Sequence, residues 1–142
     1  VRDAAPPTGL AGHRLCEGAS ADDIALLESI TERLEVEAGA LIVQRGDTAD
    51  AIYFLVRGEV SVVVPLPGGG AKRLSTLAAG MCFGEAALQQ GGRRSADVRA
   101  DTTVECRVLT TRDFETLERE RPALAIRLLH NLLRSTAETA VR

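Results

Sequence analysis

Between residues 34 and 109 the apolar period is two, in short runs that read as strands, some of them alternating only approximately. The runs are Leu34/Val36, Leu41/Val43, Ile52/Phe54/Val56, Val60/Val62/Val64, Leu74/Leu77, Ala96/Val98/Ala100 and Val104/Cys106/Val108. Turn signals part them at Ala38-Gly39, Arg45-Gly46-Asp47, Arg57-Gly58, Pro65 to Gly70, Ala79-Gly80 and Asp101-Thr102. A period of two buries one face of each run, and a repeat of about ten residues leaves room only for tight connections. The expected fold is therefore mainly β: an antiparallel sandwich, jelly roll or barrel. Aromatic residues are 3% of the chain and Trp is absent, so the core has to be assembled from Val, Leu, Ile and Ala.

The flanks follow another rule. Residues 1–19 hold Pro6-Pro7 and several small residues without periodicity, and read as a linker or loosely packed arm. Ser20 with Asp23 makes a capping-box start, and Ile24, Leu27 and Ile30/Leu34 at helical spacing predict an amphipathic helix over 21–33. Near the other end Thr110 is a natural N-cap with Asp113 as its partner, and Leu109 is placed to pack on Phe114 as a hydrophobic staple. Pro122 suits the first turn of a second helix, 122–140, which carries Leu124, Leu128 and Leu132 with Ile126, Leu129 and Leu133 beside them. So wide an apolar face has two accounts: packing on the barrel and helix 21–33, or a partner helix in a homodimer or parent protein.

Composition bounds the function. A net charge of −3, with Lys72 the only lysine, argues against direct nucleic-acid binding, which needs clustered cations. Three cysteines without a CxxC pair make disulfide scaffolds and zinc knuckles poor readings, and reduced thiols in a cytoplasmic protein the better one. No run of about eighteen apolar residues offers membrane insertion. The start at Val1 is expected to mark a segment of something longer. His13 and His130, the only histidines, fall outside the strands, and no Ser/His/Asp or Cys/His arrangement suggests catalysis, so neither metal nor catalytic residues are assigned.

One stretch carries chemistry. Phe83-Gly84-Glu85-Ala86-Ala87-Leu88 is followed, past a Gly-containing loop, by Arg94-Ser95-Ala96-Asp97-Val98, which sets a carboxylate and a guanidinium nine residues apart. A Glu that accepts from a sugar hydroxyl and an Arg that forks onto phosphate oxygens suit a small sugar phosphate such as a nucleotide. Gly84 lets backbone approach closely, and amides of a short helical turn at 84–88 add donors for an anion.

These two half-motifs, set within this strand series, resemble the phosphate-binding cassette of the cyclic nucleotide-binding domain family. Gly46-Asp47, Arg57-Gly58-Glu59-Val60, Gly80 and Phe114-x-x-Leu117 support the resemblance, which covers roughly residues 20–140. It implies an eight-stranded antiparallel jelly-roll barrel (a double-stranded β-helix) with an N-terminal helix, a short phosphate-cassette helix and two C-terminal helices. By the same resemblance Glu85 takes the ribose 2′-hydroxyl and Arg94 the cyclic phosphate. Gly84, Ala86, Ala87 and Ala96 lie against phosphate or ribose, with Ser95 beside them. Ser95, where relatives favouring cyclic GMP tend to carry Thr, points to cyclic AMP. Arg93 stands where many members have Pro. Val62 and Leu74 are the expected apolar wall for the base. Thr139 is the expected base-facing residue of a lid helix that also carries Asn131, Arg134, Ser135 and Thr136. The resemblance further implies a non-catalytic regulatory module that relays occupancy through its C-terminal helices to an effector domain of a channel, transporter, kinase, acetyltransferase or glutaminase-like enzyme. The alternatives are a degenerate fold serving oligomerisation, and the sensor half of a transcription factor.

Overall fold

The computed structural model describes residues 9–88 and 91–141, with the side chains of Ala86 and of 136–141 outside that description. Eight strands stand among the described residues: β1 Glu32–Val36, β2 Leu41–Val43, β3 Ala51–Arg57, β4 Glu59–Pro65, β5 Ala71–Ala78, β6 Cys82–Phe83, β7 Asp97–Ala100 and β8 Val104–Thr110. They form two four-stranded sheets, in the orders β1-β8-β3-β6 and β2-β7-β4-β5. Every pairing is antiparallel. Successive strands cross between the sheets except β4 and β5, which pair as a hairpin within one sheet; this is the winding of a jelly roll.

The alternation seen in the sequence divides the apolar residues between two cores. Along β3, Ile52 and Phe54 face the helices, while Tyr53 and Leu55 face the inside of the roll. The inner core gathers Leu55, Val60, Leu77, Phe83, Val98, Ala100, Val104 and Cys106. Both faces of β3 are thus buried, and the strand reads as a nearly continuous apolar run. Glu105 on β8 is only 3% exposed and is held by Arg33, Nε to Oε2 at 3.0 Å, and by Arg57. A carboxylate that deep is tolerated because two guanidinium groups answer it.

Helix α1 spans Ala21–Ile30, and its capping box is made: Ser20 Oγ accepts from Asp23 N, and Ser20 N donates to the Asp23 carboxylate. It ends three residues before the expected 33. Thr31 turns into extended backbone, its Oγ1 donating to Leu27 O at 2.7 Å, and Leu34 pairs with Cys106 inside β1 instead. Helix α2 is Thr111–Glu120, with Thr110 capping Asp113 N at 3.1 Å. Helix α3 is Pro122–Val141; it buries Leu124, Leu128 and Leu132 and leaves Ile126 and Leu133 at 55% and 70% exposure. Packing on the roll therefore accounts for one stripe of α3 and not for the other.

The expectation of a loosely packed arm over 1–19 is corrected for the residues described. Leu10, His13, Leu15 and Cys16 are buried, and a 3-10 turn covers Arg14–Cys16. Apolar contact with α1, β3 and α3 holds this segment, and single anchor residues without a period gave no sequence signal. Asn131 of α3 fastens it, Nδ2 donating to Leu15 O at 2.8 Å and Glu17 O at 3.0 Å. His13 accepts from Leu15 N through Nδ1 (3.1 Å), so its Nε2 carries the proton and donates to Leu55 O, also at 3.1 Å. Burial, with a smaller push from Arg14, holds this imidazole below its ordinary pKa.

Candidate functional site

Strand β6 runs straight into Gly84 and a 3-10 turn over Glu85–Leu88, and Arg94 stands three residues ahead of β7. Gly84 is obligatory there. Its φ is +92°, and a Cβ would stand 2.8 Å from Arg94 Nη1 and 2.9 Å from Ala51 O. The far limb is pinned by backbone: Arg94 N donates to Asp47 O and Gly46 N to Arg94 O, each at 2.8 Å.

Arg94 is 6% exposed. Its Nη1 donates to Gly84 O (3.1 Å) and its Nη2 to Ala51 O (2.8 Å), and the guanidinium carbon lies 5.6 Å from the centroid of the Tyr53 ring. Tyr53 in turn stacks on Phe83 at 4.9 Å and 4°. A guanidinium has five N–H donors, so two carbonyls leave others for an anion. Glu85 is half-buried beside it. Burial raises its carboxyl pKa above the ordinary glutamate range, while its own backbone amide and Arg94 draw it back. Acid and base are thereby presented on one cavity.

That cavity, about 320 Å³, brings together Gly84, Glu85, Arg94, Ser95, Ala96 and Val62 of the residues singled out from the sequence. Its volume falls in the range of small-ligand sites. Two expectations are corrected. Leu74 is 54% exposed and off the cavity. The β4–β5 register steps from Val62↔Ser75 to Val63↔Arg73, so the bulge passes over Leu74 and turns Ser75 and Leu77 inward. Ala87 is 3% exposed within the core under the helices. Its amide donates to Gly84 O and its carbonyl accepts from Thr111 Oγ1, which makes it a structural residue. The side chains of Ala86, Thr136 and Thr139 lie outside the described residues, whereas Ser135, one turn before Thr139, lines the cavity. The expected cassette helix is a four-residue 3-10 turn, too short for a macrodipole to matter, and Arg94 is the arginine that lines the cavity.

Sequence reasoning missed Val43, Ser75, Leu77, Cys82, Phe83 and Val98 as lining residues. Val43, Leu77 and Val98 stood in the alternating runs, and the signal was the inward parity they share with Val62. Arg93 is exposed and donates to Gly46 O at 3.1 Å, doing with a hydrogen bond what a proline ring would do with stiffness. Burial pushes the thiols of Cys16 and Cys106 up to about 11 and about 12 and raises that of Cys82 as well, which disfavours the thiolate in all three. Among the described residues no group of His, Cys, Asp and Glu is placed to hold a metal ion, and no helix is long and apolar enough to cross a membrane.

The cyclic nucleotide-binding domain model matches residues 33–121. Glutaminase 1 of Bradyrhizobium diazoefficiens is 40% identical over 134 residues, 94% of this chain and 21% of that protein. A cyclic nucleotide-gated potassium channel of Mesorhizobium japonicum is 41% identical over 90 residues, 63% of this chain and 23% of the channel. The crystal structure of the Thermus thermophilus catabolite activator protein superposes with a TM-score of 0.76 at 30% identity, covering 90% of this chain and 60% of that one. This chain thus spans about a fifth of the length of the first two relatives.

Proposed function

Since this chain belongs to the cyclic nucleotide-binding domain family, we propose that its cavity binds a cyclic purine mononucleotide, cAMP in preference to cGMP, and that the domain is a non-catalytic sensor for a larger cytoplasmic protein. The observation that carries the reading is the buried Arg94, braced by Gly84 O and Ala51 O, on the same cavity as Glu85.

In this reading Arg94 keeps its two carbonyls and turns its remaining N–H groups to the cyclic phosphate. Burying a phosphodiester charge requires such a countercharge. Glu85 accepts from the ribose 2′-hydroxyl, and that bond favours its ionised form against the burial that disfavours it. Val62, Leu77 and Val98 give the apolar wall, and Ser95 beside the phosphate supports the adenine preference. Ser135 lines the cavity from α3, so a ligand there can bias the position of α3, to the extent of its differential affinity for two arrangements. The effector would lie in the remainder of a longer protein, as the coverage of the relatives suggests.

Calorimetric titration with cAMP and cGMP tests the proposal. Arg94→Ala is expected to lose about two to four decades of affinity, the equivalent of roughly 3–5 kcal/mol for a buried charge left unpaired. No heat at millimolar cAMP, or undiminished binding by the variant, rejects it. Exposed Ile126 and Leu133 favour a second reading, in which the fold serves association of two copies without a nucleotide.

A further inference from the structure

A second cavity, about 240 Å³, adjoins the first at Ser135, which lines both. Its other walls are Arg14 and Glu17 of the N-terminal segment and Asn131 and Arg134 of α3. The nucleotide cavity offers the base mainly apolar walls, and a purine edge with nothing to pair with loses the hydrogen bonds it makes to water. Through the shared Ser135 the nucleotide cavity adjoins the polar groups of the second cavity.

These groups differ in what they have left to give. Asn131 is committed: both amide donors go to Leu15 O and Glu17 O, and its Oδ1 accepts from Arg134 Nη2 at 2.8 Å. It is a positioning residue, holding segment and helix at a fixed spacing. Across that spacing Arg134 Nη1 faces Glu17 Oε1 at 3.3 Å. Carboxylate and guanidinium side by side form an acceptor next to a donor. Adenine shows the complement, an amine donor at position 6 beside the ring acceptor N7, whereas guanine shows two acceptors there and would set its 6-oxygen against the carboxylate.

Resting on the nucleotide reading, we propose that the Glu17–Arg134 pair reads the base, Glu17 accepting from the 6-amino group of adenine and Arg134 donating to N7. The segment ahead of α1 then belongs to the binding site and sets its specificity. Both side chains are more than half exposed, 68% for Glu17 and 59% for Arg134, so water competes and the effect is modest.

The test is a cycle between one side chain and one ligand group. Wild type and Glu17→Gln are titrated calorimetrically with cAMP and with the cyclic monophosphate of purine riboside, which lacks only the 6-amino group. Glu17→Gln is expected to weaken cAMP by about three- to tenfold and to leave the deaminated ligand unchanged. Arg134→Gln is expected to weaken both ligands, since both keep N7. Equal losses for the two ligands on Glu17→Gln, or no loss for either, overturn the proposal while leaving nucleotide binding intact. Failure of wild type to bind either ligand overturns both readings.

Discussion

Glu85 sits where folding and binding want different things. Its pKa in the fold lies above the unfolded value, so the folded state holds the proton more tightly. The stability this provides is present below the ordinary glutamate range and is lost as pH rises through the raised pKa. At neutral pH the ionised carboxylate is therefore a strain on the fold. Glu85→Gln is expected to melt a few degrees higher than wild type at neutral pH, with the gap closing as pH falls toward the glutamate range. The same variant should bind cAMP about ten- to a hundredfold more weakly, the size of one charge-assisted hydrogen bond. Differential scanning calorimetry and titration read the two effects on one sample. That Gly84, Glu85, Arg94, Ser95 and Ala96 share one cavity was legible in the sequence, because residue type and spacing set a close-approach glycine, an acid and a base on either side of one short stretch. Leu74 was not, because a β-bulge shifts parity by one residue without changing composition. Ala87 was not, because an alanine serves a core as readily as a binding wall.

Elements were read well where the period was long and poorly where anchors stood singly. Leu34 falls four residues after Ile30 and two before Val36, so it satisfies helix and strand spacing alike. Only the pairing with Cys106 assigns it to β1. The segment before α1 had no period at all, yet it is fixed by Leu10, Leu15, Cys16 and the two hydrogen bonds of His13. That histidine makes the segment sensitive to acid. Its folded pKa lies below the unfolded one, so the unfolded chain binds the proton first. Stability is complete above the ordinary imidazole range and falls as pH drops through it, by up to about 1.4 kcal/mol per pH unit. Protonation also removes the acceptor for Leu15 N. Thermal melts of wild type between about pH 7 and pH 5 should show this slope, and His13→Asn should flatten it while melting lower throughout.

For the whole molecule, what remains is the surface that the roll does not cover. Leu128 and Leu132 lie inside, whereas Ile126 and Leu133 share the outer stripe of α3. The sequence showed the apolar face but could not divide it, since all six positions fit one broad helical stripe. If two copies associate through this helix, Leu133→Asp is expected to convert dimer to monomer in sedimentation equilibrium with cAMP binding retained. Leu128→Asp is instead expected to unfold the chain, because it buries a carboxylate with no partner. A wild type that sediments as a monomer at high micromolar concentration removes the dimer.

Tyr53 is the chain's one tyrosine, and there is no tryptophan. All of the useful ultraviolet emission of this protein therefore originates from a ring that stacks on Phe83 and also meets the guanidinium of Arg94. An anion paired with the free N–H groups of that guanidinium is expected to alter the quenching of the ring, which would give the pocket an optical probe without a dye.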